Sequence, residues 1–219
     1  MTLPPGQREV RGFPRFGTHG DHPAPAIPAE PGLEVAGPVV AAFTTSLGEL
    51  TDLPRTEVVA DLHCVAGWSA TGLRWEGVRF RDFFRERIEP ALLAGRSVTH
   101  VAFVGRDGYR PRAGLEDLLA DDVLLAERLD GTPLTSDHGA PLRLVSPQQY
   151  GYVSTKHLCR IEVWDHEPPA VFHPDRRTQL ALLAVRAHPR ARVWHEERHR
   201  YLPGGLARRI YRRVVTLPT

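Results

Sequence analysis

Short apolar runs rich in β-branched residues, each closed by a turn, limit most strongly what this chain can fold into. Three of them have the composition of buried strands: RTEVVADLHC (55–64), SVTHVAFVG (97–105) and APLRLVSP (140–147). DDVLLAERLDGTPLT (121–135) is typical of a hairpin turning at Asp130-Gly131. VRFRDFFRERIEPALLAG (78–95), between the first two runs, has a helical pattern. Because strands and helices do not alternate regularly, the chain is predicted to be an α+β protein.

Composition divides the 219 residues into three parts. Residues 1–50 are rich in Pro, Gly and Ala and are predicted to form an extended arm packed on the domain, because X-Pro steps disfavour helix. Residues 51–172 hold the predicted strands and form the core of the domain. In residues 173–219 eleven arginines stand against three carboxylates, a balance of +8. LARRIYRRVV (206–215) predicts a terminal helix docked on the body, with a membrane-surface helix as the alternative.

The net charge of the whole chain is only +2, and no nucleic-acid motif accompanies the arginines. A solvated arginine-rich face is therefore favoured over a nucleic-acid-binding surface. No apolar run has the length of a transmembrane helix, and the first residues lack the apolar region of a signal peptide. With two cysteines too few for a disulfide framework, these features predict a cytoplasmic protein with reduced thiols.

Cys64 stands at the end of a predicted strand, between His63 and Gly67-Trp68-Ser69. Three roles are open for it: a packing residue, a nucleophile or a metal thiolate. Adjacent strand residues point to opposite faces, so His63 is badly placed to activate Cys64, and a distant histidine such as His138 would be needed. One cysteine is too few for a protein-only zinc or iron–sulfur site. A soft metal at Cys64 would need a cofactor that brings further sulfur ligands.

HEERH (195–199) matches the H-E-x-x-H pattern of zinc hydrolases, in which two histidines one helical turn apart bind the metal. A catalytic zinc needs a third protein ligand. No Asp, Glu or His follows His199, and Pro203-Gly204-Gly205 would end a helix almost at once. A solvated, salt-bridged segment is therefore favoured over zinc binding by His195 and His199.

A cofactor bringing sulfur ligands to Cys64 would be anionic, so the chain should also contain a phosphate pocket. DHGAPLRLV (137–145) and YVSTKH (152–157) provide suitable groups: His138, Arg143, the Ser154 and Thr155 hydroxyls and Lys156, the only lysine of the chain. Arginine forks and a lysine ammonium are the usual phosphate-binding groups in proteins.

Three blocks together resemble the molybdopterin-binding domain of the sulfite oxidase family, including its bacterial members that reduce methionine sulfoxide. HCVAGWS (63–69) resembles the segment with the molybdenum-ligating cysteine, and THVAFVGRD (99–107) resembles a strand and turn that contact the pterin. LTSDHGAPLRLVSPQQYGYVSTKHLCRIEV (134–163) reproduces an Asp-His-Gly-x-Pro-hydrophobic-Arg motif and the lysine that follows it. GFPRFG (12–17) resembles the family's N-terminal strap.

This resemblance implies a sulfite oxidase-type α+β fold of mixed sheets and short helices, with a molybdenum–molybdopterin cofactor. Cys64 would be the metal ligand and the catalytic residue. The implied cofactor contacts are Arg15, Phe16, Asp107, His138, Arg143, Ser154, Thr155 and Lys156. The chain would transfer an oxygen atom or electrons to or from a small molecule, and a separate electron-transfer protein would serve it, since no haem-binding segment is visible.

The resemblance also bears on the substrate. Sulfite oxidases have an arginine shortly after the cysteine that helps to bind the anionic substrate, and this chain has Trp68-Ser69 there. A tryptophan wall would suit a neutral, sulfoxide-like substrate better than sulfite. The alternatives are a zinc hydrolase using His195 and His199, or a non-catalytic binding module that retains the fold.

Overall fold

A computed structural model describes residues 2–15, 23–169 and 187–214. Within these ranges eleven strands form two sheets. The strands are β1 (Arg8–Glu9), β2 (Gly32–Ala36), β3 (Phe43–Ser46), β4 (Arg55–His63), β5 (Trp68–Arg79), β6 (His100–Gly105), β7 (Arg112–Gly114), β8 (Leu124–Leu129), β9 (Thr132–Pro133), β10 (Arg143–Val145) and β11 (Leu158–Trp164).

Helices are few and mostly short. They are α1 (Leu47–Leu50), α2 (Phe80–Phe83), α3 (Leu115–Leu118) and α4 (Gly204–Val214), with a π-helical turn at Phe84–Ile88 and 3₁₀ turns at Glu89–Ala91 and Ser136–His138. The α+β prediction is thereby confirmed, as is a terminal helix in the arginine-rich segment. In the part of the chain that the structure describes, no helix is both long and apolar enough to cross a bilayer.

The first sheet contains the predicted hairpins. Its strand order is β1-β5-β8-β10, with β4 paired to β5 and β9 paired to β8. β4 and β5 are antiparallel and bring His63 opposite Ser69. Asp130 and Gly131 join β8 to β9 with φ angles of 50° and 76°, as the two-residue turn of a twisted hairpin requires. The hairpin predicted at Asp130-Gly131 is therefore confirmed.

The second sheet has the order β3-β2-β11-β6-β7. β2 pairs in parallel with β11 and antiparallel with β3, so it lies inside the sheet. The predicted arm of residues 1–50 therefore needs correction, because it contributes three strands, two of them to this sheet. In β2, Leu33 and Val35 are fully buried and alternate with more exposed residues. This strand alternation is short and is flanked by proline-rich sequence, so the sequence alone did not indicate a strand here.

The first sheet separates two hydrophobic cores. Along β8, Leu125 belongs to one core, whereas Leu124 and Ala126 belong to the other. Alternation of this kind follows from the opposite directions of successive side chains on a strand. The second core contains Trp68 and Trp75. Cys64 and Phe13 pack against that core, so it is the second core that supports the candidate site.

Candidate functional site

Cys64 lies in the turn that joins β4 to β5. Its N–H donates to the Trp68 carbonyl oxygen (2.8 Å), and the Gly67 N–H donates to the Cys64 carbonyl oxygen (2.9 Å). The Gln7 side-chain amide also donates to the Cys64 carbonyl (3.1 Å). Gly67 has a φ of 95°, which glycine adopts without the steric cost that a Cβ would add. The turn therefore fixes the backbone on both sides of the thiol.

The His63 ring contacts Ser69 rather than the Cys64 thiol. Its ring is buried, and Nδ1 lies 2.8 Å from the Ser69 hydroxyl of the paired strand. The Ser69 hydroxyl in turn donates to the Gln7 side-chain oxygen (3.2 Å). Burial lowers the pKa of His63, so the ring is neutral at physiological pH. This arrangement agrees with the expectation that His63 does not act as the base for its neighbour.

The Cys64 thiol is surrounded by aromatic rings and one cation. Burial raises its pKa to about 11, while the Ala66 N–H and the Arg198 charge oppose that rise. Burial, followed by the charge of Cys64, raises the pKa of Tyr211 to about 12. Burial, Asp107 and Cys64 raise the pKa of Tyr109, so both phenols lie within electrostatic reach of the sulfur. Here a free thiol is protonated at neutral pH, and a bound metal cation would convert it to the thiolate.

Arg143 is a buried guanidinium held by carbonyl oxygens. It is 1% exposed, and it donates to the His138 carbonyl (2.9 Å) and the Ser154 carbonyl (3.2 Å). Its charge lies over the Trp75 ring (4.9 Å) and near the Phe13 ring (5.7 Å). Burial lowers its pKa to about 9. Within the described residues it forms no ion pair, so its positive charge is available to an anion.

The His138 ring stacks on Phe13, with centroids 4.4 Å apart and planes 5° from parallel. Burial, Arg143 and Lys156 lower the pKa of His138 to about 4, so the imidazole is neutral. Its Nδ1 atom is buried and has no hydrogen-bond partner among the described residues. A buried polar atom left without a partner points to a group that the protein binds there.

Lys156 lies against the loop that contains His138. Its ammonium donates to the Asp137 carbonyl (2.6 Å), and Arg15 forms an ion pair with the Asp137 carboxylate (3.7 Å). Gly139, with a φ of 99°, allows the close approach, because a Cβ there would lie 2.9 Å from Lys156 atoms. Burial, Arg143 and Arg15 lower the pKa of Lys156 to about 8. Three cations and one neutral imidazole thus meet in this region.

Asp107 links this cationic group to the Cys64 turn. Its carboxylate accepts the Tyr109 N–H (3.0 Å), and its charge acts on both Tyr109 and Lys156. Tyr109 also responds to the charge of Cys64. The structure therefore brings together Arg15, Asp107, His138, Arg143 and Lys156.

The remaining predicted contacts have different surroundings. The Ser154 hydroxyl accepts the Ser146 N–H (3.1 Å), and the Thr155 hydroxyl donates to the Val153 carbonyl (3.1 Å). Both side chains are buried and serve to fix the segment that precedes Lys156. Contacts of these two hydroxyls with a cofactor stay a prediction. Phe16 lies outside the described residues.

Arg198 is the functional residue that sequence reasoning missed. It is fully buried, although the arginine-rich segment was expected to be solvated. It donates to the Val65 carbonyl and to the Pro5 carbonyl (3.3 Å), and its guanidinium lies 5.0 Å from the Tyr150 ring centroid. Arg198 therefore joins the C-terminal segment to the Cys64 turn and to the N-terminus. No local pattern distinguishes it from the exposed arginines around it.

The HEERH segment does not have the geometry of a zinc motif. Glu196 has a φ of 54°, so the segment is not helical and its histidines are not one helical turn apart. His199 Nε2 lies 2.8 Å from the Tyr211 hydroxyl instead. Among residues 2–15, 23–169 and 187–214, no three His, Cys, Asp or Glu side chains are grouped as a metal site would require.

Trp68 does not form the expected wall of a substrate site. It is 2% exposed and belongs to the second core, next to Trp75. Ser69, which follows it, is fully buried and bonded to His63. The large ring packs inward because Trp68 begins β5 on the core side of the sheet. Of the two sequence arguments for a neutral substrate, the missing arginine therefore still stands, whereas the tryptophan wall does not.

Comparison with known proteins identifies related chains. Residues 19–172 match the family model described as "oxidoreductase molybdopterin binding domain". The chain is 35% identical over 167 residues to the uncharacterized oxidoreductase YuiH of Bacillus subtilis, a match that covers 76% of this chain and 81% of YuiH. It is 27% identical over 229 residues to the protein-methionine-sulfoxide reductase catalytic subunit MsrP of Xanthomonas campestris, covering 94% and 69% of the two chains.

Two further relatives are longer proteins. The sulfite oxidase of Gallus gallus is 33% identical over 183 residues, which cover 71% of this chain and 39% of the oxidase. The solved structure of the sulfane dehydrogenase SoxCD from Paracoccus pantotrophus aligns with a TM-score of 0.55 at 21% identity, over 65% of this chain and 40% of that one. At this identity the structural likeness concerns the fold alone.

Replacing Arg198 by Met should lower the free energy of unfolding by about 2–3 kcal/mol, because the Val65 and Pro5 carbonyls lose charged donors in a buried place. Denaturant unfolding of the purified chain measures this. The control is Arg209→Met, at an exposed position of α4, which should change stability by less than about 0.5 kcal/mol. Equal effects of the two substitutions would contradict a clamping role for Arg198.

Proposed function

Because the chain belongs to the family of oxidoreductases with a molybdopterin-binding domain, we propose that Cys64 is the protein ligand of the molybdenum. We further propose that the site transfers an oxygen atom to or from a small substrate. The observation that carries the proposal is that the Cys64 thiol packs against the second core and that the buried Arg143 guanidinium, which has no carboxylate partner among the described residues, lies over Trp75 of the same core. A soft metal needs the first, and an anionic cofactor needs the second.

Family membership implies the molybdenum–molybdopterin cofactor, and the described residues fit such a group. A phosphate ester requires cations that internal carboxylates do not already neutralise, as with Arg143. A heterocycle with several N–H groups requires polar partners at its edge, and His138 Nδ1 is buried and unpartnered. The close contact of Gly139 with Lys156 leaves no room for a larger side chain between these two elements.

Arg143 and Lys156 would hold the phosphate, Arg143 through its planar fork and Lys156 as a point charge. Arg15 would add a third positive charge from the N-terminal strap, where its ion pair with Asp137 is partly exposed. His138 is neutral, so Nδ1 can donate or accept according to its tautomer. The Phe13 ring keeps the imidazole in one plane, which orients that atom.

Cys64 would coordinate the metal as a thiolate, losing the proton that burial otherwise retains. The bonds that Cys64 makes with Trp68, Gly67 and Gln7 hold its backbone, so the point from which the side chain extends is fixed. When bound, the cofactor supplies the two-electron redox chemistry of oxygen-atom transfer, and the protein supplies binding and orientation. Tyr109 and Tyr211, which are half-buried and within electrostatic reach of the sulfur, would limit the access of water to it.

A sulfoxide-like substrate is proposed in preference to sulfite. Residues 68 and 69, where sulfite oxidases have their arginine, are buried and uncharged. Arg198 lies near Cys64 but already donates to two carbonyls, so it is not a free anion-binding fork. One relative is by name a protein-methionine-sulfoxide reductase, and a sulfoxide needs no dianion-binding pocket.

Turnover would require electrons from another protein, since no haem-binding sequence is present in the chain. A sulfoxide takes up two electrons and two protons to give a sulfide and water. The cytoplasm is the proposed location, on the ground of the two cysteines, which are not paired in the structure.

Replacing Cys64 by Ser should abolish turnover, because a serine oxygen is a harder and poorer ligand than a thiolate. Protein made in a host that synthesises the cofactor should contain molybdenum near one atom per chain, as elemental analysis would measure. Cys159→Ser is the matched control and should keep both metal and activity. Zinc in place of molybdenum would revive the hydrolase alternative, and a folded chain with neither metal would favour the binding module.

Anion binding should depend on the protonation of Lys156. Its folded pKa of about 8 lies below the usual 10.5, so the ammonium is present below pH 8 and is lost as the pH rises through that value. Affinity of the cofactor-free chain for sulfate, whose charge is constant over this range, should fall about fourfold between about pH 6.5 and about pH 8.5, a range that lies below the Arg143 pKa of about 9. Calorimetric titration measures it. Lys156→Met should bind sulfate weakly at both pH values; unchanged affinity would contradict the assignment.

Steady-state assays with methionine sulfoxide and with sulfite, each with an artificial electron carrier, test the substrate proposal. We expect measurable sulfoxide reduction and poor sulfite oxidation. One missing charged hydrogen bond is worth about 1.5–3 kcal/mol, which is tenfold or more in affinity. Sulfite turnover with kcat/KM in the range of efficient enzymes, about 10⁴–10⁸ M⁻¹s⁻¹, would overturn it.

A further inference from the structure

α4 has one face on the candidate site and one face open to solvent. Ala207 is fully buried, and Tyr211, one turn later, packs against the core that supports Cys64. Arg208 fixes the start of the helix through an ion pair with Glu196 (3.2 Å). Leu206 and Ile210, which flank this inner face, are 48% and 41% exposed, and Arg209 lies on the opposite side. The helix is therefore anchored by its inner face, and its outer face has no described occupant.

The outer face combines aliphatic side chains with positive charge. Arg209 and Arg212 are exposed. Arg209 lies three residues from both Leu206 and Arg212, so these side chains share one side of the helix. Two exposed aromatic residues, Trp194 and Tyr201, precede the helix in the same segment. Arginine, aromatic and aliphatic side chains in one place are typical of protein interfaces.

This face is close to the redox centre proposed above. Tyr211 lies within electrostatic reach of Cys64, and a helix with its side chains is about 10–12 Å across. A protein that contacts Leu206 and Ile210 would thus be separated by α4 from the core against which Cys64 and Tyr211 pack. None of the other described helices combines such a position with exposed arginines.

We propose that the outer face of α4, defined by Leu206, Arg209, Ile210 and Arg212, is the docking surface for an acidic electron-transfer protein. The inference rests on the proposed function, which requires two electrons per sulfoxide from an external reductant. The carrier is oxidised at this surface, and the substrate is reduced at the Cys64 site with uptake of two protons. Positive charge on the surface selects a carrier with negative charge around its own redox group.

A membrane surface is the less favoured occupant. A helix that lies in a bilayer interface needs a broad apolar face, and only two described side chains of α4, Leu206 and Ile210, are both apolar and exposed. The inner face cannot turn toward lipid, because Ala207 and Tyr211 are packed on the protein.

The test uses the molybdenum-loaded full chain with the double substitution Arg209→Glu and Arg212→Glu. Reduced flavodoxin, an acidic carrier, and reduced benzyl viologen, a small dye, are the two electron donors. The rate constant for reduction by flavodoxin at low salt should fall at least tenfold, and its decrease with added salt should largely disappear. Reduction by benzyl viologen and the molybdenum content should change by less than twofold.

Arg85→Glu with Arg190→Glu is the matched control, since it makes the same charge change at two exposed arginines that adjoin the first-core residues Phe84 and Ala191. This control variant should retain most of the wild-type rate constant for reduction by flavodoxin. Equal rates for the two double variants, or no reduction by flavodoxin of an enzyme that benzyl viologen reduces, would overturn the docking proposal. So would α4-dependent binding to phosphatidylglycerol vesicles with an unchanged flavodoxin rate. A chain without molybdenum or dye-driven turnover would instead refute the proposed function.

Discussion

The rest of this site depends on the burial of the Arg143 guanidinium, which has no carboxylate partner among the described residues. Arg143 donates to the His138 and Ser154 carbonyls, so one side chain joins β10 to the loop before it and to the segment after it. Burying a charge is costly unless other groups compensate it, and carbonyl dipoles compensate only in part. The depression of the Arg143 pKa to about 9 reflects that cost. The protein thus maintains a positive centre whose burial an anionic cofactor would relieve.

The part of the site around Cys64 is stabilised by other contacts. The turn between β4 and β5 fixes the cysteine backbone, and Arg198 connects that turn to both ends of the chain through the Val65 and Pro5 carbonyls. The family match ends at residue 172, so Arg198 and Tyr211 lie beyond the shared domain. Within the described residues 187–214, the basic C-terminal segment therefore helps to hold the Cys64 turn in place.

Local patterns were enough to predict β4, the Asp130-Gly131 hairpin and the terminal helix, because strand composition, turn residues and helical spacing are short-range signals. The grouping of His138, Arg143 and Lys156 was predicted from their phosphate-binding chemistry and from the resemblance, since no pattern within the chain shows that residues 138 and 156 meet across Gly139. Three features could not be predicted. β2 is short and flanked by proline, Trp68 faces inward although it follows a turn, and the partners of Arg198 are backbone carbonyls at residues 5 and 65.

X-ray absorption at the molybdenum edge tests most directly whether Cys64 belongs to the metal site. The purified wild-type chain should show three sulfur neighbours, two from the cofactor and one from Cys64. The Cys64→Ser chain, if it retains molybdenum, should show two. Three sulfur neighbours in both proteins, or two in both, would contradict the assignment of Cys64 as the protein ligand.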